Sequence, residues 1–404
     1  ATAGTAARRL PRTLTWARLK DPVDPVRPGH ALADRIVADP VGWLTTELDF
    51  LTAMIAVARD CAADREAIVL AERLAPFLWV HGHWTKLQGV QRLARRSAER
   101  IGDDRTIART EFLSGVLRMA RGDLTGAAQR LGSGRTRFER LDDRHGLACL
   151  LSDQAVLYDY QNQAEDAART ARRAAELFRT EGDPLGALLA APVLSAAYRG
   201  LGRLDEALDV DEAAVAEAGE LGAAEIVTAR CLNALAVTRL LRAEPFLAYA
   251  AAQRAVDLLQ TVGDRYVLLA ALRHLASAAV CLGRRAEAVR RLQQSHELAV
   301  QLGDRPWATG LARDLAVSWI GEGRAAAAVE VLRNCAGTFE EMSMPAARAA
   351  TLNMLARAYD ETGDSDAARD ARFWAEILTD PRDTRTPALA NIVLRLADAT
   401  TCGR

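Results

Sequence analysis

Lysine is nearly missing from this 404-residue chain: Lys20 and Lys86 are the only two, so arginine carries almost all of the positive charge. GC-rich coding accounts for that preference, and no function is read from it. Net charge is missing too. The 52 basic residues are balanced by 53 acidic ones, a formal charge of −1, so no long-range field draws the chain to nucleic acid or to an anionic membrane. Direct binding to either is not expected. No uninterrupted apolar run reaches membrane-spanning length and nothing has the pattern of a signal peptide, which makes the cytoplasm the expected location. A phosphate loop of the form G-x-x-x-x-G-K-[ST] is absent as well, so ATP binding is not read from these residues.

Reactive side chains are sparse and scattered. Cys61, Cys149, Cys231, Cys281, Cys335 and Cys402 contain no C-x-x-C pair and are expected to be reduced thiols filling small spaces between helices. His81-Gly82-His83-Trp84 holds the only two histidines close in sequence. A closed zinc site needs about four ligands, and no carboxylate or thiol stands at a telling distance, so this segment reads as a turn with Trp84 packed beneath it. No serine or cysteine has a sequence-adjacent base and orienting acid, although such triads are also assembled from distant positions. No metal, cofactor or catalytic role is expected.

What the chain does have is a period. Ala75, Gly115, Ala155, Ser195, Ala236, Ala276, Ala316 and Ala356 follow one another at 40 residues, with one step of 41. A second series runs in register through Leu87, Ala127, Ala167, Ala207, Ala248, Ala288, Ala328 and Ala368, and a third through Ala94, Gly134, Ala174, Ala214, Ala255, Ser295, Cys335 and Ala375. Phased small residues mean that one supersecondary unit has been stacked, the mark of a solenoid. Glycines recur about every 20 residues, from Gly82 and Gly102 to Gly363, and several precede an aspartate: Asp103, Asp123, Asp183, Asp264, Asp304, Asp364. Glycine just past a helix end accepts the left-handed conformation, and the aspartate accepts bonds from the free amides of the next helix. Apolar residues at three- and four-residue spacing between these corners, as in Leu188, Ala191, Leu194, Tyr198 and Leu201, make each segment amphipathic. Each unit is therefore read as two antiparallel helices. The extra residue of the 41-residue step is expected in the turn Gly222–Glu225, where it spares the packing. Leucine at Ala276 or Ala316 is expected to overfill a close helix contact, while Ala325, read as a surface position, is expected to tolerate it.

Leu194, Ser195, Tyr198, Gly202, Ala207 and Ala214, and likewise Leu355, Ala356, Tyr359, Gly363, Ala368 and Ala375, resemble the tetratricopeptide repeat (TPR) pattern. The likeness spans Arg65 to Leu378, with a unit longer than the common repeat of about 34 residues and without its regular closing proline. It implies an all-α, right-handed superhelical solenoid of about eight antiparallel hairpins. Nearer the front, Trp43, Leu44, Glu47 and Leu51, with Leu70, Ala71, Leu74, Phe77, Leu78, Gly82 and Trp84, look like the start of the carboxy-terminal TPR region of Streptomyces antibiotic regulatory proteins and related NB-ARC ATPases of the STAND group. Phe50 departs from the asparagine expected there. In those regulators the TPR region follows DNA-binding and nucleotide-binding modules and receives a signal, so the resemblance implies a sensor fragment or a standalone relative.

Residues 1–42 read as a linker, extended by the prolines of Asp21 to Gly29, with Leu14 and Trp16 able to dock on the solenoid. The solenoid is assigned to residues 43–380 with a lead-in helix at 44–61, and residues 381–404 to a loop followed by a capping helix from Ala388 to Ala399. In proteins with this repeat the first helices line the concave side. Three residues before the small positions, Asn233, Arg273, Arg313 and Asn353 form a polar ladder, with Arg230 one turn before Asn233. Four residues after them, Asp159 and Arg199 adjoin an apolar strip of Leu240, Val280 and Ile320. Such a wall suits a peptide, a small effector or a protein partner: amides bond a backbone, and arginines pair with carboxylate or phosphate. The expected role is a non-catalytic sensor of a transcriptional regulator; a standalone adaptor or quorum-sensing-type peptide receptor is the alternative. An oligomerisation scaffold that forms homo-oligomers is a further reading.

Overall fold

The computed structural model describes residues 39–262, 264–379 and 385–398. Among them there is no strand. Helix α1 (Pro40–Asp60) leads into eight hairpins: α2 and α3 (Asp64–Val80, Trp84–Ile101), α4 and α5 (Asp104–Ala120, Leu124–Arg140), α6 and α7 (Arg144–Tyr160, Ala164–Thr180), α8 and α9 (Pro184–Gly200, Leu204–Glu220), α10 and α11 (Glu225–Leu241, Pro245–Val262), α12 and α13 (Arg265–Cys281, Arg285–Leu302), α14 and α15 (Arg305–Ile320, Ala325–Glu341), and α16 and α17 (Pro345–Thr362, Ser365–Leu378). A last helix, α18, spans Arg385–Asp398. The proposed docking of Leu14 and Trp16, the extended stretch Asp21 to Gly29, most of the loop before α18 and Cys402 lie outside the described residues.

The corners behave as the free amides of helix starts require. Asp103, Asp123, Asp183, Asp264, Asp304 and Asp364 each accept a hydrogen bond from a backbone amide of the first turn that follows, at 2.8–3.1 Å. Asp143 does the same for Gly146 at 2.9 Å. Where glycine is missing from the rhythm, the chain still turns left-handed: Ala62, Asp142, Asn162, Ala243 and Ser343 all have positive φ between 48° and 60°. The hairpin geometry holds these residues in a conformation that glycine adopts without cost. The longer step is taken in the turn Leu221–Ala224.

Every member of the three small-residue series is buried. At Gly115 the reason is visible, since a Cβ there would stand 2.7 Å from Leu131 Cγ. Ala325, read from the sequence as a surface position, is 7% exposed and packs into the wall, because α15 begins there against its neighbours; the next residue, Ala326, is the exposed one. Successive first helices touch directly from α4 to α12 and again between α14 and α16, whereas among the described residues no two second helices of the hairpins approach comparably. The first helices thus form the shorter, inner wall of the curve.

That curve closes on itself. The corner at Gly82 lies against Gln301 and Leu302, that at Gly122 against Met342, and the Trp79 ring is 6.3 Å from Tyr266. Phe339, Met342 and Met344 join the same core as Leu117, Met119 and Leu124. The inner wall consequently surrounds an interior, rather than facing outward as an open groove. Over Val41–Asp60, α1 has the length and mean hydropathy, 1.3, of a membrane span; Leu44, Leu48, Leu51 and Ile55 are buried in the first core cluster, where α1 packs on α2 and α3.

Candidate functional site

A cavity of about 390 Å3 opens on the inner wall between α6, α8, α10, α12, α14, α16 and α18. Asp159, Arg199, Arg273 and Arg313 all line it. They reach it from four first helices because the 40-residue period returns each to the same face. Trp307, Phe339 and Met344 supply apolar surface to the same cavity, and Leu389 and Ala390 of α18 close one side.

The arginines do not stand free. The Arg199 guanidinium, 5% exposed, donates to Ser195 Oγ at 2.8 Å, Thr238 Oγ1 at 2.8 Å and Asp211 Oδ2 at 3.3 Å. Burial pushes the Asp211 carboxyl above its ordinary range, and the Arg199 charge only partly offsets it. Further along, Asp314 is fully buried between two cations: Arg273 Nε donates to its Oδ2 at 2.8 Å, and Arg313 Nε and Nη2 donate to its Oδ1 at 2.9 and 2.7 Å. Burial opposes its charge there, but Arg273 and Arg313 together outweigh it and hold this carboxyl below the ordinary range. Each of these two guanidinium groups also lies over a ring, Arg273 at 5.8 Å from Trp307 and Arg313 at 5.9 Å from Phe339, within reach of a cation–π contact.

His274 lies beside them, with Nδ1 2.7 Å from Asn233 Oδ1. Burial, with the charges of Arg273 and Arg199, lowers its pKa to about 3, so the ring is neutral. A neutral imidazole that donates Nδ1–H to the amide oxygen keeps Nε2 as an acceptor. At the mouth where the curve closes, Asp304 caps α14 by accepting from the Trp307 amide at 2.9 Å. Burial raises its carboxyl to about 6, against the pull of that bond and of Tyr266. Burial and the nearby Asp304 and Asp159 charges push the Tyr160 phenol upward as well.

Of the residues singled out in the sequence, Asp159, Arg199, Arg273 and Arg313 converge on one cavity, and Asn233 is joined to it through His274. Arg230 is partly buried one turn away, where its charge acts on Tyr266. Asn353 is exposed and does not line the cavity, although Ala346, Ala347 and Ala350 earlier in the same helix do. The apolar strip is not open either: Leu240 shares a core cluster with Ile392 of α18, and Val280 and Ile320 with Val393 and Leu396. The helix expected to cap the end of the array packs on α16 of the last hairpin and also covers this strip, crossing α12 and α14 with lighter contact to α8 and α10. The period analysis did not pick out His274, Asp314 or Asp211. A signal was present. His274 and Asp314 hold one register position where other hairpins place Leu113, Val193, Ala234 and Met354 but also Arg73 and Asp153, and Asp211 interrupts a second-helix row that is apolar from Leu131 to Leu332 and polar at its ends, Gln91 and Arg372.

Among the described residues no group of three or more histidine, cysteine or acidic side chains could hold a metal ion. Burial pushes the Cys231 and Cys335 thiols up to about 12 and about 11, out of the reactive range.

No protein-family model and no curated protein matches the chain. Solved structures do. The Rap conjugation gene regulator of plasmid pLS20, in complex with the Phr* peptide, aligns with 84% of this chain and 97% of its own at TM-score 0.60 and 12% identity. A Rap protein complexed with competence and sporulation factor covers 88% of this chain and 99% of its own, at TM-score 0.57 and 14% identity. The apo quorum sensor NprR of B. thuringiensis covers 83% and 100%, at TM-score 0.52 and 12% identity. The fold of this chain is that of a TPR-like helical solenoid.

Proposed function

We propose that this chain is a non-catalytic sensing domain that takes a peptide or other carboxylate-bearing effector into the inner-wall cavity. One observation carries the reading: Arg273 and Arg313 share a single buried carboxylate, Asp314, and both border the cavity, whose lining also includes Asp159. An anionic end group is the natural complement, held by charge-assisted bonds. Trp307, Phe339 and Met344 would bury an apolar side chain, and the Asn233–His274 pair offers polar groups nearby. The volume lies at the lower end of ordinary ligand sites, about 300–1,000 Å3, which suits a few residues of an extended peptide. That the pLS20 Rap regulator was solved with a peptide supports this class of effector.

We assign the wider setting on the resemblance of Trp43 to Trp84: the domain belongs to an actinobacterial transcriptional regulator of the SARP or STAND kind and acts in the cytoplasm. There an effector favouring one curvature would bias attached ATPase and DNA-binding modules by its difference in binding free energy. A standalone peptide receptor is the second reading, favoured by a cavity that residues of this chain line on several helices; the full open reading frame around this segment separates the two.

Isothermal titration of the whole chain with pools of short peptides, carrying free or amidated C-termini, tests the site. Free-acid peptides should bind, and Arg273→Ala should weaken them by about 1.5–3 kcal/mol, roughly 10-fold or more. Equal binding of free and amidated pools, or an unaltered Arg273→Ala protein, would reject the arginine pair as the anchor.

A further inference from the structure

Helix α17 reverses the polarity of the second helices before it. Its outer face exposes Phe373, Trp374 and Ile377, each more than half exposed, with the Phe373 and Trp374 rings edge to face at 5.7 Å. At the Phe373 position the other second helices carry Arg92, Gly132, Arg172, Glu212, Gln253, Gln293 and Arg333, and at the Ile377 position nothing more apolar than Ala216. The Trp374 position is apolar elsewhere only at Leu93 and Ala213. The row that is buried leucine at Leu292 and Leu332 becomes, in turn, the exposed Arg372. Each earlier first helix packs on the second helix before it, whereas α18 runs along the inner wall and, among the described residues, makes no comparable contact with α17. A polar Arg372 is what a terminal unit requires; three large apolar side chains facing water are not. The charge left over around them is acidic. Arg369 pairs with Asp366 at 3.0 Å and Arg372 with Asp360, while the exposed Asp370 and Glu376 have no ion-pair partner among the described residues.

From this we infer that the outer face of α17 is the docking surface for residues 8–20 of the same chain. That segment lies outside the described residues, and its sequence is the chemical complement of the patch. Arg8, Arg9, Arg12, Arg18 and Lys20 are interleaved with Leu10, Leu14, Trp16 and Leu19, and no acidic residue precedes Asp21. Trp16 and the leucines offer apolar surface to Phe373, Trp374 and Ile377. The cations can pair with Asp370 and Glu376 or lie over the two rings. Size decides between this occupant and a second copy of the chain: a stable contact between copies needs roughly 800 Å2 from each, more than three side chains supply. A tethered segment, at an effective concentration on the order of millimolar, holds with less. Residues 21–38 connect it to α1 and, fully extended, span about 60 Å, so the tether does not confine the segment to the front of the array. The inference is independent of what fills the cavity.

The scarcity of lysine makes the test specific. Carbodiimide joins a lysine amine to a carboxylate only where the two touch, and the full chain offers just Lys20 and Lys86. Lys86 is ion-paired with Asp49, so an amide between these two is the internal control for a folded array. Peptide mass spectrometry of the coupled wild type should also show Lys20 joined to Asp370 or Glu376. Phe373→Ser with Trp374→Ser should lower the yield of the Lys20 product at least 10-fold and leave the Lys86–Asp49 product unchanged. Trp16→Ser should do the same without altering the solenoid, which keeps the test decisive if the α17 variant does not fold. Lys20 coupled only to carboxylates away from α17, or a yield that neither variant lowers, would overturn the proposal. So would Lys20 products formed only between copies in a mixture of 15N-labelled and unlabelled chains, since these would assign the seat to a neighbouring molecule.

Discussion

Two buried charge clusters on the inner wall use the same residue types to different ends. Around Arg199 there is one cation for one carboxylate, and Thr238, Ser195 and the Ala234 carbonyl complete its hydrogen bonds from α8 and α10. Around Asp314 there are two cations for one carboxylate, with two aromatic rings in place of further acceptors. The first cluster is neutral and ties helices together. The second sets two cations against one carboxylate beside a cavity that Asp159 also lines, and it does so where direct contact between first helices thins, from α12 to α14. Identical chemistry therefore serves as a clamp at one place and borders a cavity, the proposed effector site, at the other, according to stoichiometry and to what surrounds it.

The largest expected effect tests whether the first cluster is structural. Asp211→Ala leaves a guanidinium buried among α8, α9 and α10 without its counter-charge and should cost about 3–5 kcal/mol in urea unfolding. Asp314→Ala leaves two guanidinium groups without it, but Arg273, 19% exposed, and Arg313, 8% exposed, both border a cavity that admits water, so the loss should be smaller, about 1–3 kcal/mol. Replacing the pair together, Arg199→Met with Asp211→Leu, should restore most of the loss. Equal losses for the two single variants would erase the distinction between clamp and site.

A smaller effect asks what sets the spacing that Arg273 spans to reach Asp314. If close packing sets it, Ala276→Leu in α12 or Ala316→Leu in α14 should cost about 1–3 kcal/mol, and Ala326→Leu, on the exposed face of α15, should stay within about 0.5 kcal/mol. Equal melting temperatures for these variants would show that the ion cluster, and not the small residues, fixes the wall.

How much of this could be read beforehand follows from what repeats. Helices, corners and inner face were legible because each packing demand recurs every 40 residues: a small residue at Ala276 is ambiguous alone and plain beside Ala236 and Ala316. The left-handed corners at Ala62, Ala243 and Ser343 were not, since these residues carry no preference that glycine would show; tertiary contacts impose the turn. That Asp159, Arg199, Arg273 and Arg313 share one face was legible from register, but their partners were not. Asp314 reaches Arg273 across 41 positions, and Asp211 and Thr238 reach Arg199 from two other helices. Pairing across hairpins depends on rotamers and depth, which a period does not encode. The seat of α18 was hidden for a related reason: an apolar face says that a helix must be covered, and only the closed curve says by which wall.

The gentlest test leaves the protein intact and changes only pH. Asp211, raised by burial, and Asp314, held low by its two arginines, should tilt stability in opposite directions. A raised carboxyl binds its proton more tightly in the folded state than in the unfolded one. Its contribution is therefore fully present below the unfolded pKa of about 3.9 and is lost as pH rises through the folded value. A lowered carboxyl contributes above the unfolded pKa and loses that contribution as pH falls through its folded value. Relative to Asp211→Asn, the wild type should thus gain stability on acidification; relative to Asp314→Asn, it should lose it. Urea midpoints measured from pH 7 down to the onset of acid unfolding give both differences, and like-signed slopes would mean that the two clusters are electrostatically the same.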